Sequence, residues 1–445
     1  MKALEGAVRA LSAWDPRRGS LKLGLEELSG NERGTTLAWV HGVLRRRRTL
    51  GHVLGAVARR ALKGRRPELV ALLEVLAYRV LYEGEETERA LAGLGGSKRS
   101  REHAQRVLLA LDEAIAERVA GAAEGHDALL PVGRSEAVRF RRPLLDVSRR
   151  GAAGRLALLH SLPDALVEAW IRDRGPEVAT ALCWAANDPP PLFARANPLW
   201  GDRSCLAAAL AAEGVEATPV EGSPSALRLG AGRGRFRHTA PWREGALFVQ
   251  DLTAQEAAPL LAPRPGERVL DLCAAPGGKT THLAELAGDR ARLLACDVSA
   301  RRLRRVVENA RRLGLASVRT QALDGTRPGA LAGLGPFDAV LIDAPCSNTG
   351  VLRRRSEARW RYDRRAQRRL VTAQERLLAA GLGTLAPGGR LLYSVCSVER
   401  DEGEALVRRV LESHAEVRLA EEVLRLPTPE GGDGGYLALL RRGEG

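Results

Sequence analysis

The sequence predicts a multidomain chain: an all-α first domain, a small α/β second domain, and a C-terminal α/β domain built on a parallel sheet covered on both faces. Three observations predict it. Apolar residues recur at helical spacing early in the chain, in Leu37-Ala38-Trp39-Val40 through Leu44 and again from Leu69 to Leu81. A stretch rich in Gly, Pro and Arg, from Ala120 to Gly151, then holds no sustained period (Gly121, Gly125, Pro131, Gly133, Pro143). After Gly245, strand-like apolar runs alternate with helical ones, the pattern that builds parallel sheets.

Taken in order, residues 1–140 make the expected first domain, helical from Met1 to about Val119, with the interdomain linker in the 120–151 stretch. Residues 150–244 are expected to form the small second domain. Two helical segments lead to Pro189-Pro190-Pro191, then to short alternating runs from Leu192-Phe193-Ala194-Arg195 and glycine turns up to about Thr239. Residues 245–445 form the third. Arg268-Val269-Leu270-Asp271-Leu272 reads as a strand, Thr280 to Ala287 as a helix, Arg292 to Asp297 as a strand and Ala300 to Leu313 as a helix, with further strands at Phe337–Asp343 and Arg390–Val395. Ligands of such sheets bind beyond the carboxyl ends of the strands, so the residues there are the informative ones.

Composition excludes several classes. With 445 residues, 45% hydrophobic and 28% charged, the chain can build more than one core. It has no apolar run near the length of a membrane span, and Met1 to Trp14 lacks a signal-peptide layout, so a cytoplasmic protein is expected. The six cysteines (Cys183, Cys205, Cys273, Cys296, Cys346, Cys396) are scattered, which argues against a zinc site, another metal centre or a disulfide framework. A net charge of +15 fits a polyanionic partner, because Lys and Arg that neutralise phosphates release counterions. An Arg- and Ala-rich chain encoded by a high-GC genome explains the same charge equally well.

The stretch Asp271-Leu272-Cys273-Ala274-Ala275-Pro276-Gly277-Gly278-Lys279-Thr280 ends a strand and opens a helix, and its small residues let a ligand approach backbone and helix N-terminus. A P-loop needs Gly or Ala where Cys273 stands, and a dinucleotide fold needs G-x-G-x-x-G; neither is met. The looser form acid-x-small-x-small-x-Gly is met by Asp271, Cys273, Ala275 and Gly277. The next strand ends in Asp297, suited to accept from ribose hydroxyls, and the following one in Asp324, placed to meet an adenine edge. One such acid is commonly a helix cap; three in register with a glycine loop point to a nucleoside ligand.

These residues resemble the NOL1/NOP2/Sun family of RNA cytosine-5 methyltransferases, and within it the bacterial small-subunit rRNA enzymes. The resemblance rests on Val249-Gln250-Asp251, Asp271 to Thr280, Asp343-Ala344-Pro345-Cys346-Ser347, Gly350-Val351-Leu352-Arg353-Arg354 and Pro387-Gly388-Gly389-Arg390 through Ser394-Val395-Cys396-Ser397. Upstream, His160-Ser161-Leu162-Pro163 and Arg195-Ala196-Asn197-Pro198 resemble the small RNA-contacting subdomain, while Val40 to Arg45 and Leu72 to Leu81 resemble a NusB-type RNA-binding domain. Asn348 stands where the family usually has Gly, Val395 where it has Thr, and Gln105 to Leu109 lacks its Asn-x-x-Leu-Arg string. The resemblance implies a Rossmann-like methyltransferase domain, S-adenosyl-L-methionine as cofactor and RNA (16S rRNA first) as partner; with no obligate protein partner evident in the sequence, a monomer is expected.

The implied chemistry requires a cysteine. Carbon 5 of cytosine is a weak nucleophile until a thiolate adds at carbon 6. Cys346 and Cys396 both lie at strand ends; a Pro-Cys motif, as in the related DNA enzymes, favours Cys346, whereas the RNA family uses the position of Cys396. The resemblance therefore implies Cys396 as nucleophile and Cys346 in resolving the adduct. Cys183, Cys205 and Cys296 read as small buried hydrophobes. The implied cofactor set is Cys273, Ala274, Ala275, Pro276, Gly277, Gly278, Lys279, Asp297, Asp324 and Asp343, although Asp343 is equally placed to accept from the cytosine amine. Nine arginines between Arg353 and Arg369, with Trp360 and Tyr362 among them, read as an RNA surface, a solvated helix face being the plainer alternative. Three rivals stay open: a P-loop NTPase acting on RNA, a catalytically silent RNA-binding assembly factor, and the same chemistry on tRNA or large-subunit rRNA.

Overall fold

The computed structural model describes residues 2–16, 24–25, 27–58, 62, 64–121 and 125–444. They fall into two compact units: Met1–Asp188 with Leu352–Asp363, and Pro189–Val351 with Arg364–Gly445.

The first unit opens with α1 (Lys2–Ala13), α2 (Gly30–Val57), α3 (Pro67–Tyr82), α4 (Thr87–Leu91) and α5 (Lys98–Ala114). Local signals set their ends. Ser29 and Glu32 close a capping box at the start of α2, with the Ser29 N–H donating to Glu32 Oε2 at 3.0 Å. Pro67 occupies the first turn of α3, where its missing N–H costs nothing. Their apolar faces meet in one core through residues such as Val40, Leu44, Leu76, Val80, Leu108 and Leu111. Burying each such side chain contributes roughly 1.5–3 kcal/mol.

The expectation of an all-helical domain up to about Val119, followed by a linker, is corrected here. Helix α5 stops at Ala114 and the chain continues as β1 (Ile115–Ala120), β2 (Leu129–Gly133) and β3 (Glu136–Phe140), an antiparallel sheet in the order β1-β3-β2. Its strands are short and partly exposed, so their alternation, as in Ala137-Val138-Arg139-Phe140, is brief. Two of the glycines taken for a linker end strands instead: Gly133 closes β2, and Gly121 follows β1 with φ +91° and donates its N–H to Ser135 O at 2.8 Å. Residues 122–124 of the expected linker lie outside the described residues. Helices α6 (Ala152–Leu159), α7 (Asp164–Arg174) and α8 (Pro176–Ala185) follow. They group with the first unit, although the sequence placed them with the small second domain.

The second unit holds two sheets. The smaller takes β4 (Leu192–Ala196), α9 (Arg203–Ala212), β5 (Ala217–Pro219), β6 (Ala226–Leu229), α10 (Ala240–Arg243) and β7 (Leu247–Val249), with antiparallel order β5-β6-β4-β7. The larger runs through α11 (Leu252–Leu261), β8 (Arg268–Asp271), α12 (Gly278–Leu286), β9 (Arg292–Asp297), α13 (Ala300–Arg312), β10 (Val318–Ala322), β11 (Phe337–Asp343), α14 (Arg364–Leu382), β12 (Leu385–Val395), α15 (Glu404–Leu411), β13 (Val417–Arg425) and β14 (Gly435–Arg442). Its order is β10-β9-β8-β11-β12-β14-β13, parallel as far as β12 and antiparallel beyond. Ala339 and Leu341 of β11 enter a core with α11, α12 and α13, while Val340 and Ile342 enter another with α14 and α15. Both faces are covered, which explains the unbroken apolar runs in these strands.

Candidate active site

The parallel strands deliver their C-terminal residues to one rim: Asp271 from β8, Asp297 from β9, Asp343 from β11 and Val395 from β12. The loop from Leu272 to Gly277 crosses this rim and feeds α12. Gly277 holds φ +102°, and a Cβ there would stand 3.1 Å from Val306 Cα of α13, so only glycine fits the turn. Side chains of α13 brace the loop. Arg302 Nη2 donates to Ala275 O at 2.8 Å and Asn309 Nδ2 to Pro276 O at 3.0 Å.

Asp297 is nearly fully buried: its Oδ2 accepts from the Ala275 N–H at 3.3 Å and lies 3.3 Å from Arg302 Nη1, and its Oδ1 accepts from the Ser299 N–H at 2.9 Å. Asp271 is fully buried. Its Oδ2 accepts from Thr280 Oγ1 at 2.6 Å, and its Oδ1 has no partner among the described residues. Burial pushes this carboxyl up to about 7, the Thr280 hydrogen bond pulling the other way. Asp324 lies two residues beyond the end of β10 rather than on it, because it closes its own turn. It accepts from Thr326 N (3.0 Å) and Thr326 Oγ1 (2.6 Å), which lowers its pKa. Cys273 is the wrong thiol for attack, since burial and then Asp271 push it up.

Lys279 and Asp343 link that loop to a second cluster. Lys279 Nζ lies 2.6 Å from Asp343 Oδ1, which also accepts from Ser394 Oγ at 3.2 Å. Burial is the largest single influence and works against the Lys279 charge, but Asp343, Cys396 and Asp271 together outweigh it and the net shift is upward. Lys279, Ser394 and Cys396 line one cavity with Asp251, Asp433 and Tyr436. Fifty positions apart in sequence, Cys346 and Cys396 stand with their sulfurs 3.1 Å apart. The hydrogen bond to Cys396, and then burial, hold the Cys346 thiol well above its ordinary value. The Cys396 thiol donates to Asn348 Oδ1 at 3.4 Å, and Asn348 Nδ2 donates to Cys346 O at 2.8 Å. The Asn348 φ of +63° explains a residue other than Gly there, because Asn tolerates the left-handed region.

Several expectations are corrected. Cys205 is exposed on α9 rather than buried, while Cys183 and Cys296 are buried as read. The arginine run from Arg353 to Arg369 is not one surface. Arg353 and Arg359 are buried inside the first unit, and the exposed members are Arg355 and the Arg364, Arg365, Arg368 and Arg369 set at the start of α14. The sequence reading also missed the Lys279–Asp343 pair and the role of Arg195. That side chain is fully buried on β4 and grips α12 through Glu285 (2.8 and 2.9 Å) and Gly278 O (3.0 Å). No local signal marks such partners, which lie 83 to 90 positions away.

Set against known proteins, the chain is 32% identical over 404 residues to a protein of Synechocystis sp. named probable ribosomal RNA small subunit methyltransferase B, spanning 91% of this chain and 86% of that one. The chain belongs to the RsmB/F methyltransferase family. Residues 258–435 match the family described as 16S rRNA methyltransferase RsmB/F, and residues 162–233 match its ferredoxin-like domain. A relative from Erwinia tasmaniensis, ribosomal RNA small subunit methyltransferase B, is 40% identical over 263 residues, 58% of this chain and 61% of its own length. The crystal structure of PH0851 shares the fold at a TM-score of 0.76 and 24% identity, covering 99% of this chain and 98% of that one. S-adenosylmethionine is the family's cofactor. The RsmB/F loop fits it here: Gly277 leaves room beside α13, and the unpartnered Asp271 Oδ1 and buried Asp297 supply acceptors for an electropositive nucleoside ligand.

Proposed function

We propose that this chain methylates carbon 5 of a cytosine in 16S rRNA through a covalent cysteine adduct. The pair of thiols 3.1 Å apart, in the segments that follow the neighbouring strands β11 and β12, is the observation that carries the reading. The small-subunit rRNA target follows the names of the Synechocystis and Erwinia relatives.

In this reading Asp271, Cys273 to Lys279, Asp297 and Asp324 hold the cofactor, which when bound supplies a methyl group on a sulfonium. Cys396 is the nucleophile. Its sulfur bonds to carbon 6 of the cytosine, and the displaced electron pair makes carbon 5 able to accept the methyl group. The Lys279 ammonium, close enough to Cys396 for the two charges to interact, favours the thiolate over the thiol. Asp343, held by Lys279 and Ser394, faces this second cluster and is read as the acceptor for the cytosine amine. After transfer the carbon 5 proton leaves, with Cys346 as its relay, the bond from Cys396 to carbon 6 breaks, and the ring double bond returns. A target inside a stem has to be flipped out to reach the cavity.

Two experiments test this. Cys346→Ala is expected to trap an RNA–protein adduct on denaturing gels, and Cys396→Ala to leave none; the reverse pattern exchanges the roles. Bisulfite mapping of cells with and without the gene is expected to show one 16S cytosine losing its modification. An unchanged map sinks the proposal, and a lost signal in tRNA or large-subunit rRNA moves the target.

A further inference from the structure

One buried carboxylate joins the two cysteine loops. Glu402 is fully buried in the short turn that follows Cys396. Its Oε2 accepts from Ser347 N at 2.9 Å and from Gln374 Nε2 at 2.9 Å, while its Oε1 accepts from Ser397 Oγ at 3.1 Å and from Ser347 Oγ. Ser347 is the residue after Cys346, and Ser397 the residue after Cys396. Tyr393 OH fixes the Glu402 backbone by donating to its carbonyl at 2.8 Å.

The two thiols are not held equally. Cys396 follows β12, whose last residue, Val395, is paired in register with Tyr436 of β14. Cys346 lies beyond β11 in a loop and depends on side chains. Gln374 Nε2, already on Glu402, also donates to Pro345 O at 2.8 Å. Pro345 and Ser347, the neighbours of Cys346 on both sides, are thus both tied to the Glu402 carboxylate.

We propose that Glu402 is a positioning residue for adduct resolution: it holds Cys346 against Cys396 and governs release of the methylated RNA more than attack on it. The inference rests on the covalent reading above. A carboxylate suits the task because its two oxygens here accept from four donors; an amide offers one oxygen and turns a donor toward the donors already there. Misplacing a reacting group by an ångström costs about 100-fold.

The test uses full-length Glu402→Gln, Ser347→Ala, Cys346→Ala and wild type with unmodified rRNA and S-adenosylmethionine, followed in a single turnover by denaturing gel. Glu402→Gln is expected to form adduct within about threefold of the wild-type rate and to resolve it about 100-fold more slowly, with Ser347→Ala between the two. Glu402→Asp should recover part of the resolution rate, which a role in folding alone does not predict. Equal slowing of formation and resolution, or resolution at the wild-type rate, overturns the proposal. If Glu402→Gln fails to fold, Ser347→Ala decides by the same two rates. If Cys346→Ala traps no adduct, the two-thiol reading itself fails; if it traps one while Glu402→Gln releases normally, only the role of Glu402 falls.

Discussion

Burial holds the Asp271 carboxyl at about 7, well above the ordinary 3.8, so the folded chain binds a proton there that the unfolded chain has lost. The sign follows. The stability tied to this protonated form is complete below about pH 3.8 and is lost as pH rises to about 7. Asp271→Asn removes that loss. The Tm of the variant relative to wild type is expected to rise between pH 4 and 7 and to level off above; a pH-independent difference contradicts the assignment. How much of this was legible in sequence depends on the residue. Asp271, Asp297 and both cysteines stood out because strand ends in a parallel sheet concentrate polar groups beside apolar runs. Glu402 and Arg195 did not, because their meaning comes from partners contributed by distant segments.

At the scale of elements, the attachment of β4 to α12 is a buried ion pair. Arg195 and Glu285 are both fully inaccessible and 2.8 Å apart. Such a pair adds little net stability over an apolar replacement, but breaking it strands a charge and costs about 3–5 kcal/mol. Arg195→Met is therefore expected to lower the denaturant midpoint sharply, and Arg195→Met with Glu285→Leu to recover most of it. Because Arg195 also donates to Gly278 O in the first turn of α12, the single variant should weaken S-adenosylmethionine binding as well. Full recovery of stability without recovery of binding would separate the two contributions. The strands β8, β9 and β11 were readable as apolar runs covered on both faces. The strands β1, β2 and β3 were not, since a short edge with mixed burial leaves too few alternations to outweigh its glycines and proline.

At the scale of the molecule, the segment Leu352–Asp363 belongs by its contacts to the first unit, although the chain on either side of it belongs to the second. Arg359 is fully buried there, donating to Arg45 O at 3.0 Å, Asn187 Oδ1 at 3.0 Å and Ala186 O at 2.6 Å. Trp360 Nε1 donates to Leu44 O at 3.0 Å, and Arg45 Nη2 to Arg353 O at 2.6 Å. A fragment of residues 189–445 strips these groups of their partners. It is expected to aggregate on size exclusion, and replacing 352–363 by a Gly-Ser linker to restore a monodisperse fragment; a well-behaved unmodified fragment contradicts this. The same segment sets an order of synthesis. Chains made from the N-terminus usually complete their first unit first. Here the carbonyls of Leu44, Arg45 and Ala186 wait for donors that leave the ribosome only after Cys346 has been made, so the first unit cannot finish folding until much of the second unit's chain has been synthesised.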